Sequence, residues 1–148
     1  MRGIDYASRL PRHQRHALEQ LLFFNGCQQR VARDIVDVID KYGPPEIFDD
    51  GEGLRVRVST LPDVQCLFAI EPSTRRPIGV AVYMRADLEH VTVLHLGVSE
   101  DYCAGGANGG LNLPLRLVRE VRRSSRRIKG VRRLEVAYSS QRPRSTAV

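Results

Sequence analysis

The residues best suited to chemistry cluster between positions 91 and 114. An apolar run, VTVLHLGV (91–98), leads into the loop SEDYCAGGANGGLN (99–112), and Pro114 follows. Gly105, Gly106, Gly109 and Gly110 let the backbone of this loop come close to a ligand. Pro114 fits the first turn of a helix and nowhere deeper in one. A strand passing through glycines into a helix start is a recurrent phosphate cradle, because the amides of the first helical turn point outward without partners. The other reading of the same letters is a loop without a ligand. His95, inside the apolar run, is the one imidazole near this loop, and an imidazole suits proton abstraction near neutral pH. It also reads as a half-buried strand histidine. Cys103 has no nameable base partner, so it reads as a loop thiol rather than a nucleophile. Glu100 and Asp101 are acids that can attract a cationic substrate or simply face water.

The second chemical feature is charge. The chain has 148 residues and a formal net charge of +6. From Arg116 to Arg133 there are nine Lys or Arg residues against one acid, Glu120. Arginines at both i+3 and i+4 repel one another on a helix. Such a stripe suits a phosphorylated cofactor, a nucleic-acid backbone, an acidic protein surface, or solubility alone. Trp is absent and aromatics are few, so no base-stacking platform is evident.

These residues need elements to hold them. Pro11 and the leucines at 10, 18, 21 and 22 indicate a first helix ending at Asn25-Gly26. Val31, Ile35, Val38 and Ile39 indicate a second, from Gln28 to Lys41, stopped by Gly43-Pro44-Pro45. Phe48–Gly53 reads as a polar loop. Alternation marks Leu54–Val58 as a half-exposed strand, and Val64–Ile70 and Ile78–Met84 read as a hairpin around the turn Glu71–Pro77. Val91–Val98 is a fourth strand. A helix is expected from Asn112 or Leu113 to Ile128, with Leu115, Val118, Val121 and Leu117 inward, followed by a strand over Val131–Tyr138. Residues 1–140 are expected to form a single domain and 141–148 a flexible tail. The order ααββββαβ gives an α+β or mixed α/β fold.

The pattern over residues 64–138 resembles the GCN5-related N-acetyltransferase (GNAT) superfamily. Leu96-Gly97-Val98 stands where that family has an apolar-small-Val strand end. Ser99-Glu100-Asp101-Tyr102 follows as its polar residues and aromatic. Cys103 to Asn108 occupies its glycine loop, and Lys129 to Val136 its helix end and fifth strand. The resemblance implies an α+β, GNAT-like fold: a mixed, mostly antiparallel sheet with helices on both faces. It implies acetyl-CoA or another acyl-CoA as cofactor, with the pantetheine along Leu96, Gly97 and Val98 where the fourth strand splays from the fifth. The pyrophosphate would lie on Gly105, Gly106, Ala107, Asn108, Gly109 and Gly110 and the helix start. The implied activity is acetyl transfer to an unidentified amine, with His95 as the candidate base. Cys103 stands where the family has Arg or Gln, Asn108 where it has Gly or Ala, and only a tail follows the fifth strand. Two alternatives follow from those departures and from the charge: a non-catalytic GNAT-like binding or regulatory module, and a small basic nucleic-acid-binding protein.

The remaining expectations concern setting. No metal site is expected, since His13, His16 and His90 lack ligand spacing with any acid or cysteine. No apolar stretch is long enough to span a membrane, and no export signal is seen. Cys27, Cys66 and Cys103 are odd in number and scattered, which points to no disulfide framework and a reducing, cytoplasmic setting. An open edge on the last strand makes a homodimer plausible.

Overall fold

The computed structural model describes residues 3–23, 39–58, 60–61, 64–103, 106–136 and 144–147. Its main sheet contains β1 (Asp5–Ala7), β4 (Val64–Ile70), β5 (Pro77–Arg85), β6 (His90–Val98), β7 (Arg133–Val136) and β8 (Arg144–Ala147), in that spatial order. A separate two-stranded hairpin joins β2 (Pro45–Asp49) to β3 (Leu54–Val58). Every neighbouring pair in the main sheet is antiparallel except β6–β7. The parallel pair is where the chain crosses over through a helix, as a parallel connection requires.

Helix α1 (Arg15–Phe23) buries Leu18, Leu21 and Leu22, at i, i+3 and i+4, against one face of the sheet. That layer includes Phe68, Val80, Val82 and Leu94, and is closed by Leu54, Val56 and Val58 of the hairpin. Helix α2 (Leu113–Ser125) covers the other face with Leu113, Leu117 and Val121, packed on Ala69, Ile78, Ala81, Val91 and Val93. The α+β architecture, with a mixed, mostly antiparallel sheet and helices on both faces, is the one the sequence indicates. Gly79 explains the tight seat of α2. A Cβ there would lie 2.8 Å from Leu117 Cδ1, so any larger residue would require that leucine to shift.

Several expectations change. The buried stripe of α2 runs through Leu113, Leu117, Val121 and Ser125, while Leu115 is exposed. The four-residue steps place these positions on one face. Ser125 satisfies its buried hydroxyl by donating to the Val121 carbonyl, 2.8 Å away. Part of the polar loop expected at Phe48–Gly53 belongs to β2, because Ile47 and Phe48 pair with Val56 and Arg55. Residues 144–147, expected in a flexible tail, form β8 on the edge of β7. The sheet therefore ends at β8 rather than at the last strand the sequence indicates. The second helix lies almost wholly outside the described residues, and of it only residues 39–42 are seen as helical.

The cysteines also differ from expectation. Cys103 is disulfide-bonded, so it is neither a free loop thiol nor a nucleophile. The argument from cysteine count to a reducing compartment loses its basis. Cys66 is a buried free thiol with its pKa raised by burial. No helix among the described residues is long and apolar enough to cross a membrane.

Candidate functional site

The site is built on the end of β6. Along His90–Val93 this strand pairs with β7 in parallel. Among the described residues that pairing stops at Val93, opposite Val136, while β6 runs on to Val98 with β5 alone at its side. The register on the β5 side slips at the same point: Tyr83 faces Val93 and Val82 faces His95, so Leu94 is an extra residue. A bulge of this kind bends a strand and raises its twist. The bulge therefore bends β6 just before Leu96, Gly97 and Val98.

His95 lies just past this bulge. It is opposite Val82, in the layer under α1, and only 4% exposed. Burial pulls its pKa down to about 4, so the imidazole is neutral at physiological pH.

Past Val98 the loop folds onto itself. The amides of Gly106, Asn108, Gly109 and Leu111 donate to the carbonyls of Cys103, Asp101, Gly106 and Asn108, at 2.9, 2.6, 3.1 and 3.2 Å. Gly106 is required by this folding: a Cβ there would sit 2.5 Å from the Glu100 carbonyl oxygen and 2.8 Å from that of Asp101. At Gly110 a Cβ would meet nothing within 4 Å. The glycines therefore divide into one that shapes the loop and one that leaves space beside it. Gly105 lies outside the described residues.

Among the described residues, the amides of Ala107 and Gly110 have no backbone acceptor. Those of Leu113 and Leu115 precede the first helical bond, from the Arg116 amide to the Asn112 carbonyl at 3.2 Å. Asn112, in the left-handed conformation at φ 51°, makes the sharp entry into α2. With Gly106, Asn108 and Gly109 spent on the loop itself, the candidate donors for an anion shift toward the helix.

A polar network that the sequence reading did not anticipate fastens the start of this loop to the β4–β5 turn. Tyr102, buried, donates its hydroxyl to Glu71 Oε2 at 2.6 Å. Thr74 donates to Glu71 Oε1 at 2.6 Å, and Arg76 reaches Glu71 Oε2 at 3.4 Å and Asp101 Oδ2 at 2.7 Å. Ser99 donates to Asp101 Oδ1 at 2.6 Å. The hydrogen bonds from Thr74 and Tyr102, with the Arg76 charge, hold Glu71 below the usual carboxylate range. Burial and the Glu71 bond push Tyr102 up to about 12. Asp101 is thus tied into the scaffold rather than offered to a substrate. Beyond the end of β6 a cavity of about 240 Å³ opens between Gln20 and Leu21 of α1 and Arg76, Ser99 and Glu100. The described residues hold no cluster of His, Cys, Asp and Glu fit for a metal ion.

No protein-family model matches the sequence, and no curated protein matches it. Among solved structures the chain is similar to a candidate acetyltransferase of the GNAT family from Desulfovibrio desulfuricans. The two are 18% identical over 90% of this chain and 72% of that one, with a TM-score of 0.41. It is also similar to nourseothricin acetyltransferase, at 16% identity over 62% of this chain and 56% of that one, with a TM-score of 0.30.

Proposed function

We propose that this chain is an acyl-CoA-dependent N-acyltransferase, moving an acetyl group from acetyl-CoA to an amine. The observation that carries the reading is the Leu94 bulge, which bends β6 just before it runs through Leu96, Gly97 and Val98 into the loop and helix start. An extended pantetheine amide chain suits a strand backbone, whose donors and acceptors alternate. The residues fit that group with one adjustment. Gly106, Asn108 and Gly109 use their own amides to shape the loop, so Ala107, Gly110, Leu113 and Leu115 are the donors for the pyrophosphate.

When bound, the cofactor supplies an activated acyl carbonyl. The chain's part is to hold it and to keep water from it. Transfer joins the amine nitrogen to the acyl carbon and releases a thiol, so one amine proton must leave. His95 is the candidate acceptor of that proton. Being neutral it can take one, but with its pKa near 4 it is a weak base and would act on an amine that arrives deprotonated. The test is release of free thiol from acetyl-CoA in the presence of a panel of amines. Turnover with some amine, reduced in His95→Gln, supports the reading; absence of cofactor binding removes it.

A second reading is favoured by a separate observation. Cys103, at the position of the family's Arg or Gln, is disulfide-bonded and offers no cation. A non-catalytic GNAT-like module that binds acyl-CoA without turning it over fits this residue. Saturable binding with no thiol release from any amine would select that reading.

A further inference from the structure

The arginines of this chain fall into two populations. Arg9, Arg57, Arg75 and Arg76 hold Asp50, Glu46, Asp5 and Asp101 at 2.6, 3.2, 2.7 and 2.7 Å, and Arg12 holds Asp49. Among the described residues, none of the nine cations from Arg116 to Arg133 holds a carboxylate. Arg116 at least spends its Nε–H on the Leu111 carbonyl, at 2.9 Å. The rest project from a fixed surface. The far side of α2 is packed into the core, which turns Arg119, Arg123, Arg126 and Arg127 outward. The amides of Arg132 and Arg133 are pinned to the Glu89 carbonyl at 2.8 and 2.9 Å. Repulsion among neighbours costs a few tenths of a kcal/mol per pair, and the helix dipole offsets it only in the last turn.

The position of this face separates it from the cofactor cradle. Arg123 is ten residues past Leu113, roughly 15 Å along the helix at ~1.5 Å per residue. A ligand sitting on the helix start is out of its reach, so the face needs a partner of its own.

Its chemistry narrows the partner. Arginine forks suit phosphate oxygens, and a row of them at one per helical turn suits phosphates in a row. The face carries no aromatic side chain, so it has nothing on which unpaired bases would stack. An anionic bilayer is disfavoured by the adjoining β5–β6 turn, where Leu88, the most exposed large apolar side chain among the described residues, lies between the exposed acids Asp87 and Glu89. We propose that the α2–β7 arginine face binds the phosphate backbone of double-stranded DNA without reading its sequence.

The test is anisotropy of a labelled mixed-sequence DNA duplex, about two helical turns long, titrated with the full chain. Engagement of four to six phosphates predicts a log–log salt slope of about −3.6 to −5.4, roughly a 10²–10³-fold loss of affinity from about 50 to 200 mM salt. R119E/R123E/R126E should abolish binding with the melting temperature and the acetyl-CoA titration unchanged. R132Q/R133Q, a milder change, should reduce the slope by about two. The proposal is overturned by no binding at the lower salt, by a flat salt response, by parental affinity in both variants, or by tighter binding to phosphatidylserine vesicles than to the duplex at the same salt.

Discussion

In its first half β6 lies between two strands, with Val91 and Val93 paired to both β5 and β7 and sealed under α2. In its second half the same strand, no less apolar in sequence, keeps its pairing with β5. Between the two halves Leu94 adds one residue that bends the strand. The half before the bulge is closed by strands on both sides and carries stability, while the half beyond it opens into the loop. Function is therefore expected past the bulge, and the following outcomes test that division.

The largest effect belongs to the closed half. Leu134 of β7 is fully buried opposite Val91. Leu134→Ala should cost about 2–5 kcal/mol in urea unfolding, with cofactor affinity per folded molecule unchanged. An equal loss of affinity in the folded fraction would merge the two halves.

Next comes the histidine of the open half. Its folded pKa is depressed from 6.5 to about 4. Stability linked to it is complete above the unfolded value and is lost as pH falls toward the folded one. At roughly 1.4 kcal/mol per pH unit the total is about 3 kcal/mol. Urea melts from neutral to acidic pH should show this decline, and His95→Gln should flatten it between those two values. An identical decline in the variant would place the titration on other groups.

The loop glycines give a smaller contrast. Gly106→Ala forces a Cβ against two carbonyl oxygens and should cost about 1–3 kcal/mol. Gly110→Ala meets open space and should stay within about 0.5 kcal/mol while weakening acetyl-CoA. Equal thermal shifts for the two would contradict their division of roles. Tyr102→Phe removes one hydrogen bond to the Glu71 carboxylate, which keeps Thr74 and Arg76. A loss of about 1.5 kcal/mol is expected.

Much of the sheet was legible because β3, β4, β5 and β6 carry runs of β-branched and apolar residues bounded by turn signals. The hairpin strand β2 was not, since Pro45, Glu46 and Asp49 imitate a loop and only pairing with β3 decides otherwise. β8 escaped for the same reason, being short and polar. The phase of α2 was ambiguous because LPLRLV offers leucines on two faces. Packing against Gly79 selects Leu113 and Leu117 over Leu115. For the site, the strand-loop-helix order and its glycines were visible. What escaped is which amides the loop spends on itself, the Glu71–Tyr102–Arg76–Asp101 network, and the state of Cys103. Each depends on contacts between segments far apart in sequence.

The central claim is that β6 beyond its bulge receives acyl-CoA. Backbone amide NMR during titration with acetyl-CoA to millimolar concentration tests it most directly. The predicted result is saturable shifts at Leu96, Gly97, Val98, Ala107 and Gly110, with Val91 and Val93 unmoved. No shift along Leu96–Val98 at that concentration would contradict it.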